Sequence, residues 1–522
     1  MHSTPCRDNL TVPRRELTAV LFEVSGIALL SHDTASLAKP AGNLSLATRL
    51  FYGFGSVSFG IKDNGFQYLL LIFYNQVVGL SAPAVGLAIL LAMLFDAFLD
   101  PIVGQVSDNW RSRWGRRHPF MYASALPVAL SYLAIWNPPR WSAGHLFFYL
   151  VGVAIVVRTF ITFYEVPSSA LSAELTSGYD ERTGLLSYRY FFGWVGGLAI
   201  NFIAFRWLLT PDRTHPVGQL NPVGYAHFGM VGSAIMFFAI LISTAGTHSQ
   251  IATLRVPPKR KIRLLAMVKE MIATWSHRSF LNLTLSGVAT AMAAGLGSSM
   301  NNYFNTFFWE FSAKQISLFT AGVFISAFLA LGLAPVIARR FGKRPSAMGL
   351  FILGLATGVT PLILRLMGLM PPNHSAALQV AIFFSSIIST AFYIGATTMV
   401  SSMIADVVED SELKTGRRSE GLFFSASSLV AKAVSGMGIF AATLILSLIH
   451  FPAAAKPGHV PPEVVRHLAL VYVPAMIFLY GLSLALMFGY KITRATHAET
   501  LRILAAEAEE VAIAGTPGQR AP

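Results

Sequence analysis

The sequence predicts an all-α membrane protein, and three observations carry that prediction. Of the 522 residues, 54% are hydrophobic and only 12% are charged, whereas a soluble domain has about 25% charged residues. Long apolar stretches alternate along the chain with short basic ones. A single cysteine, Cys6, excludes a disulfide scaffold and cysteine-based zinc or iron–sulfur sites. A disordered chain and a large soluble enzyme do not fit this composition.

Twelve apolar segments predict twelve transmembrane helices, since a helix needs about 20 mainly apolar residues to cross a bilayer. We number them spans 1 to 12, and they lie near 46–76, 82–107, 120–138, 144–173, 188–210, 225–246, 279–309, 316–338, 346–370, 376–405, 421–450 and 467–490. Span 1 is the least regular of them, because Lys62, Asp63 and Asn64 interrupt it.

A long basic stretch at 247–278, with Pro257 and Pro258, divides the spans into two sets of six. We therefore expect two pseudo-symmetric six-helix bundles, at 46–246 and 279–490, joined by this stretch as a cytoplasmic linker. An N-terminal arm at 1–45 and a tail at 491–522 complete the predicted organisation. Both are expected to be cytoplasmic.

The formal net charge of +14 has a topological explanation. The cations concentrate on alternate loops, those after spans 2, 6, 8 and 10, with only scattered cations on the others. Loops rich in Lys and Arg stay on the cytoplasmic side of a membrane. These loops and both termini are therefore predicted to face the cytoplasm of a bacterial inner membrane, and no nucleic-acid partner is expected.

A weak parallel repeat supports the division into two halves. After span 2 the chain reads WGRRHP at 114–119, and after span 8 it reads FGKRP at 341–345. Each places an aromatic residue, a glycine, two cations and a proline at the corresponding junction of its half. Transporters built from halves related by an axis along the membrane normal bind substrate near the midplane, between the halves.

Two acids on span 2 are the first candidates for a functional site. An ionisable residue at a helix centre costs about 2.5–3.5 kcal/mol on insertion scales, so it is rarely kept without a function. Asp96 and Asp100 lie four residues apart, on one face of a helix. Both ionise readily only if a cation sits between them, and otherwise one keeps its proton. That is the chemistry of a sodium or proton coupling site, which Thr162 on span 4 would supplement. The alternative is neutralisation by arginine or lysine, with no ion.

Span 4 carries a second group of polar residues. Arg158, Thr162 and Glu165 recur at helical spacing on one face, and Pro167 is expected to bend the helix just beyond them. Glu165 either binds substrate hydroxyls or accepts a salt bridge from Arg158. Arg189, at the start of span 5, either serves the same site or extends to the lipid headgroups.

Spans 1 and 11 add two lysines and an acid. Lys62 and Asp63 are adjacent near mid-membrane, so we expect Asp63 to face the central cavity while Lys62 pairs elsewhere. Lys432 lies too deep in span 11 to reach the membrane surface. We expect it to pair with Asp96 and Asp100 and to compete there with the coupling ion, or to form a purely structural salt bridge.

Four segments resemble one transporter family. They read FDAFLDPIVGQVSDNWRSRWGRRHP (95–119), YGFGSVSFGIKDN (52–64), DERTGLLSYRYFF (180–192) and ADVVEDSELKTGRRSEG (405–421). The pattern D-x3-D-P-x2-G followed by a basic RSRWG loop is specific. Together with Lys432 these segments resemble the glycoside–pentoside–hexuronide:cation symporters of the major facilitator superfamily, the family of melibiose permease. The resemblance covers about residues 46–490.

The resemblance implies a role for each matching residue. The cation site would consist of Asp96, Asp100 and Thr162, with Lys432 linking span 11 to it. Contact with the sugar, or organisation of its site, would fall to Asp63, Glu165 and Arg189. The loop that responds to conformational change would include Gly104, Arg113, Gly115 and Arg116.

The chain departs from the family pattern at three positions. Leu99 stands where an asparagine is expected before the second aspartate, so one oxygen ligand for sodium is lost and proton coupling gains support. Ser169 stands where an aromatic residue stacks on the sugar, and Ile161 replaces the neighbouring tyrosine. These changes weaken the inference of a galactoside substrate. The related lysophosphatidylcholine symporters lend weight to an amphipathic one.

The predicted function is a symporter that imports a small organic solute, most of all a sugar or glycoside, with Na+ or H+. A carrier of a lysolipid-like substrate and an uncoupled, transporter-shaped receptor are the alternatives. No HExxH, GxSxG or phosphate-cradling loop occurs, so neither enzyme activity nor a cofactor is expected. The coupling cation and the bilayer are the other expected partners. A monomer is expected, although the sequence leaves the oligomeric state open.

Overall fold

The computed structural model describes residues 44–176, 179–253, 278–415, 420–490, 492, 496–500, 502–504 and 506, and these contain helices and no strand. Most of the predicted arm at 1–45, of the linker at 247–278 and of the tail at 491–522 lies outside the described residues. Within the described residues, ten helices are long and apolar enough to cross a membrane. Their bounds are Ala82–Asn109 (span 2), Ala143–Leu175 (4), Tyr179–Ile203 (5), Pro222–His248 (6), Arg278–Tyr303 (7), Ala313–Phe341 (8), Lys343–Leu366 (9), Ala376–Thr415 (10), Glu420–Leu448 (11) and Pro462–Met487 (12).

Spans 1 and 3 are helical as well, but they are less regular. Span 3 is the shorter helix His118–Ile135, which contains Pro127. Span 1 consists of Leu46–Phe54, Val57–Asn64 and Leu70–Ile72, with wide π-turns at Gly65–Leu69 and Phe73–Val77. π-turns are frequent at functional sites. In this chain the first one follows directly after Lys62, Asp63 and Asn64.

Local sequence explains where several helices begin. The Asn221 side chain accepts a hydrogen bond from the amide of Val223, and Pro222 occupies the first helical position of span 6. At the start of span 8, Ser312 and Gln315 form a reciprocal capping box. These caps satisfy amide groups that would otherwise lack partners at the ends of the spans.

Corresponding pairs of helices make close contacts within each of the two bundles. A Cβ on Gly60 of span 1 would lie 2.0 Å from the carbonyl oxygen of Gly193 on span 5. A Cβ on Gly295 of span 7 would lie 2.4 Å from the carbonyl oxygen of Ser435 on span 11. Glycine permits such an approach because it has no side chain. Spans 1 and 5 correspond to spans 7 and 11 in a parallel repeat, so the packing supports the pseudo-symmetry read from the two basic turns.

At one end of the molecule, polar side chains join the two bundles. The Gln76 amide nitrogen donates to the carbonyl of Pro452 at 3.1 Å, and its oxygen accepts from the backbone amide of Ala455 at 2.8 Å. The Tyr303 hydroxyl donates to the Asn75 side-chain oxygen at 2.7 Å. We call this the sealed end, and its residues are 73–81, 209–221, 304–312 and 449–461.

The opposite end carries the cationic turns 110–117 and 339–344, and we call it the basic end. A second set of contacts at the sealed end reinforces the first, because the Gln219 side chain donates to the carbonyl of Phe311 at 2.8 Å. Hydrogen bonds between the bundles thus cluster at the sealed end. The candidate site lies between the two ends.

Candidate functional site

Asp96 and Asp100 lie on the face of span 2 that packs against span 4. The Thr162 hydroxyl stands between them, 2.8 Å from Oδ1 of Asp96 and 3.2 Å from Oδ1 of Asp100. The Asp96 side chain is 2% exposed and that of Asp100 is 23% exposed. Three oxygens, one from each residue, therefore converge where the sequence predicted a cation site.

Arg158 binds the first of these acids. Its Nη1 lies 2.8 Å from Oδ2 of Asp96, and its guanidinium carbon lies 4.8 Å from the centre of the Phe66 ring. The sequence left open whether Arg158 pairs with Glu165. The structure instead pairs Arg158 with Asp96. Arg158 and Thr162 lie one helical turn apart on span 4, so both oxygens of that carboxylate have a partner.

Lys432 reaches the second acid from the other bundle. Its Nζ lies 2.8 Å from Oδ2 of Asp100 and 3.7 Å from Oε1 of Glu165. Its side chain is 29% exposed. One lysine therefore contacts both the predicted cation site and the acid that the family pattern places at the solute site.

Glu165 lies between two lysines, since Lys62 Nζ is 3.6 Å from its Oε2. Lys62 is also 2.9 Å from Oδ1 of Asp63, so it pairs with its neighbour as well as with Glu165, whereas the sequence predicted only a partner elsewhere. The long lysine side chain reaches back to the adjacent carboxylate, and a 2%-exposed ammonium group needs every available acceptor. The Asp63 side chain is 45% exposed, so it is the acid in this group most accessible to a solute.

Arg189 is buried and does not extend to the headgroups. Its guanidinium donates to the Ser168 hydroxyl at 2.8 Å and to the carbonyl of Glu165 at 3.2 Å. It also lies over the Phe59 ring, 4.7 Å from the ring centre. Arg189 therefore ties span 5 to span 4 beside Pro167, and through Phe59 to span 1.

The predicted conformational loop packs against span 4 at the basic end. Gly115 has a φ of +74°, which glycine adopts without strain, and Arg116 lies 2.8 Å from Glu174. Arg113 is exposed. Gly104 accepts a hydrogen bond from Ser107. Arg117, for which the sequence predicted no role, binds Glu174 at 2.9 Å and Ser107 at 2.7 Å.

The three departures from the family pattern occupy different surroundings. Ile161 is fully buried, Leu99 is half-buried and Ser169 is exposed. Ser169 is thus the position where a stacking aromatic side chain would have been accessible. The sequence signal that identified the site was a charged residue inside an apolar span. Lys62 and Arg158 have the same signal, although the sequence predicted them only as ion-pair partners and not as members of the cation or solute site.

A two-bundle helical fold with an ion-pair network at its centre defines a major facilitator transporter. The chain matches the family described as "MFS/sugar transport protein" over residues 51–494, and it belongs to that family. The predicted fold class and the resemblance to the glycoside–pentoside–hexuronide:cation symporters are confirmed. The chain is a multi-pass membrane transporter and not an enzyme.

Relatives carry different substrates in their names. The chain is 27% identical to an isoprimeverose transporter of Lactiplantibacillus pentosus, over 81% of this chain and 84% of the relative. It is 23% identical to the sodium-dependent lysophosphatidylcholine symporter 1 of Mus musculus, over 91% of each. Among solved structures it resembles a D-xylose–proton symporter with a TM-score of 0.53, at 16% identity over 83% of this chain and 97% of that one.

Proposed function

We propose that this chain is a secondary active symporter that couples inward movement of Na+ or H+ to the uptake of a small organic solute. A sugar or glycoside is the leading substrate class, which the isoprimeverose transporter supports. The main observation in support of coupling is that Lys432 of one bundle contacts both Asp100 and Glu165 of the other. A change at the cation site thereby reaches the solute site through one side chain.

The coupling follows from competition for the two acids. A cation that binds Asp100 displaces Lys432, which weakens the link between the bundles and frees Glu165 for a solute hydroxyl. The solute in turn takes up Glu165 and so favours release of Lys432. Each ligand then raises the affinity for the other by the same factor, as linkage requires. The solute site in this proposal consists of Asp63, Glu165 and Arg189.

The proposed location is a bacterial inner membrane, with a single chain as the working unit. The basic end and both termini face the cytoplasm, because cationic loops are retained there. The sealed end then faces outward, so this arrangement is closed to the outside. Uptake requires the Gln76 and Asn75 contacts to open on one side and the basic turns to separate on the other.

The test is solute accumulation in proteoliposomes with an imposed sodium or proton gradient. Asp100→Asn and Asp96→Asn are expected to abolish gradient-driven accumulation, because each removes a charge of the cation site. Asp212→Asn, in an exposed loop of the sealed end, is the matched control and is expected to accumulate solute like the unchanged chain. Full accumulation by both site variants would disprove the assignment.

A lysolipid-like solute is the second candidate, favoured by the lysophosphatidylcholine symporter relatives. A thermal-stability screen across sugars, glycosides and lysolipids, each with and without sodium, separates the two. Stabilisation by glycosides alone supports the first substrate class. Stabilisation by lysolipids alone replaces it. A chain that binds solute but never accumulates it against a gradient is an uncoupled receptor.

A further inference from the structure

The counter-charges of the two acids on span 2 come from different parts of the molecule. Arg158 belongs to the same bundle as Asp96, and its side chain is 3% exposed. Lys432 belongs to the other bundle, and its side chain is 29% exposed. Lys432 can leave Asp100 when the bundles move apart. Arg158 can leave Asp96 only if the first bundle itself opens.

The contacts of the Arg158 side chain depend on its guanidinium group. The group lies over Phe66 and directs Nη1 at Asp96 Oδ2, while Thr162 takes Oδ1 of the same carboxylate. Its Nε is buried and without a hydrogen-bond partner in the part of the chain that the structure describes. Asp96 therefore supplies the charge that makes burial of this cation tolerable.

This arrangement opposes sodium. A sodium ion shared by Asp96 and Asp100 would lie within a few ångströms of the guanidinium, and like charges at such a distance repel strongly where water is scarce. Arginine cannot relieve the repulsion by losing its proton, because the guanidinium group stays protonated in proteins. Leu99 adds no oxygen that could compensate.

We infer that Arg158 is the residue that determines cation selectivity, acting as a resident counter-cation of Asp96 that excludes sodium. The passenger cation then exchanges with Lys432 at Asp100 alone. The inference rests on the proposed symport function and deepens it. It adds a residue to the cation site and removes one of the two ions that the proposal leaves open.

Sodium chloride, compared with choline chloride at equal ionic strength, is the probe for purified protein. The unchanged chain is expected to unfold at the same temperature in both salts. Arg158→Gln is expected to unfold at a lower temperature in choline and to be restored by sodium, with an apparent sodium affinity raised by about tenfold or more, since a nearby positive charge has been removed. Arg158→Lys keeps the charge and is expected to remain indifferent to sodium.

A double variant guards against loss of folding. Asp96→Asn with Arg158→Gln removes both charges of the buried pair, so it leaves no unpaired ion and is expected to be insensitive to sodium. If sodium stabilises the unchanged chain as strongly as it stabilises Arg158→Gln, the inference is overturned. The same holds if the double variant responds to sodium, because the response would then not involve Asp96.

Uptake assays separate failure of this inference from failure of symport. Accumulation of solute by the unchanged chain under a proton gradient in sodium-free buffer supports both. Accumulation that requires a sodium gradient overturns the inference and leaves symport intact. Absence of accumulation under either gradient refutes symport, and with it the inference that depends on it.

Discussion

The two ion pairs on span 2 lie one helical turn apart and differ in which bundle supplies the cation. The Asp96–Arg158 pair is buried on both sides within one bundle. The Asp100–Lys432 pair crosses between the bundles and is partly accessible. Both have the same length of 2.8 Å, so distance alone does not distinguish a fixed pair from an exchangeable one. The difference lies in which helices must move to break each pair.

This comparison explains how one site can combine stability with exchange. Breaking a buried pair by removing one partner costs about 3–5 kcal/mol, because the other charge is left without compensation. The cost of breaking the Asp96–Arg158 pair, which we call the fixed pair, keeps spans 2 and 4 together. In the proposed mechanism the Asp100–Lys432 pair, which we call the exchangeable pair, imposes a smaller cost on movement of the bundles unless a passenger cation replaces the lysine. Coupling is then a property of the pair that spans two moving parts.

Among the cations of the site, Lys432 is expected to have the largest effect on transport. Lys432→Met leaves Asp100 and Glu165 without their shared cation, so the two ligand sites lose their common side chain. Coupling free energies are typically about 1–3 kcal/mol, or 5–150-fold in affinity, and we expect steady-state solute accumulation in proteoliposomes to fall by that factor. Lys456→Met, an exposed lysine of the sealed end, is the control. Equal accumulation by the two variants would show that Lys432 carries no coupling.

The next effect concerns a cation fixed within the first bundle. Arg189→Met removes the bonds to Ser168 and to the carbonyl of Glu165, and hydrogen bonds to charged groups contribute about 1.5–3 kcal/mol each. We expect the free energy of unfolding to fall by about 3 kcal/mol or more, seen as a lower unfolding temperature in detergent. Arg182→Met, exposed on the same helix, is the control. An unfolding temperature as high as that of the control would mean that Arg189 does not brace the bundle.

A smaller effect is expected at the sealed end, where neutral hydrogen bonds join the bundles. Gln76→Ala removes the bonds to Pro452 and Ala455, and each neutral bond contributes about 0.5–1.5 kcal/mol. We expect opening at this end to become about 5–150-fold more frequent, the factor that corresponds to 1–3 kcal/mol. The measurement is the labelling rate of Ser299→Cys in a Cys6→Ser background, because Ser299 is buried against span 1.

Asn137→Ala provides the matched control for that measurement. Asn137 lies beyond the end of span 3, and its side chain donates to the carbonyl of Leu133 in the same helix. Labelling of Ser299→Cys in this background is expected to stay at the original rate. Equal labelling rates with Gln76→Ala and Asn137→Ala would show that the contacts between the bundles do not hold the sealed end closed.

The fold could be predicted from the sequence because apolar segments indicate the membrane-spanning helices and basic loops indicate the cytoplasmic side. Asp96 and Asp100 could be identified because a charge inside an apolar span is costly. Thr162 and Lys432 could be expected as their partners, but the pairing of Arg158 with Asp96 could not. Helical spacing places Arg158 and Glu165 on one face of span 4, but it does not say which neighbouring helix that face meets.

The sealed end shows the same limit in a different way. Asn75 and Gln76 are polar residues at the end of a span, where polar residues are ordinary, so nothing in the sequence marks them as contacts between bundles. The contact between Lys62 and Asp63 could not be predicted for a related reason. Adjacent residues of a helix point apart at their Cβ atoms, yet a lysine side chain is long enough to return to Asp63. Side-chain reach and tertiary packing decided these cases.

The smallest expected effect is at an ion pair that is exposed on both sides. Arg502 and Glu499 lie 3.0 Å apart with side chains 79% and 54% exposed, and a helix pair three residues apart contributes about 0.2–0.5 kcal/mol. Arg502→Ala is therefore expected to leave the unfolding temperature within a degree or so of the unchanged chain, far from the loss expected for Arg189→Met. If the two variants were destabilised equally, burial within a bundle would not be what makes an arginine contact stabilising. The distinction between fixed and exchangeable pairs on span 2 would then have to rest on some property other than burial.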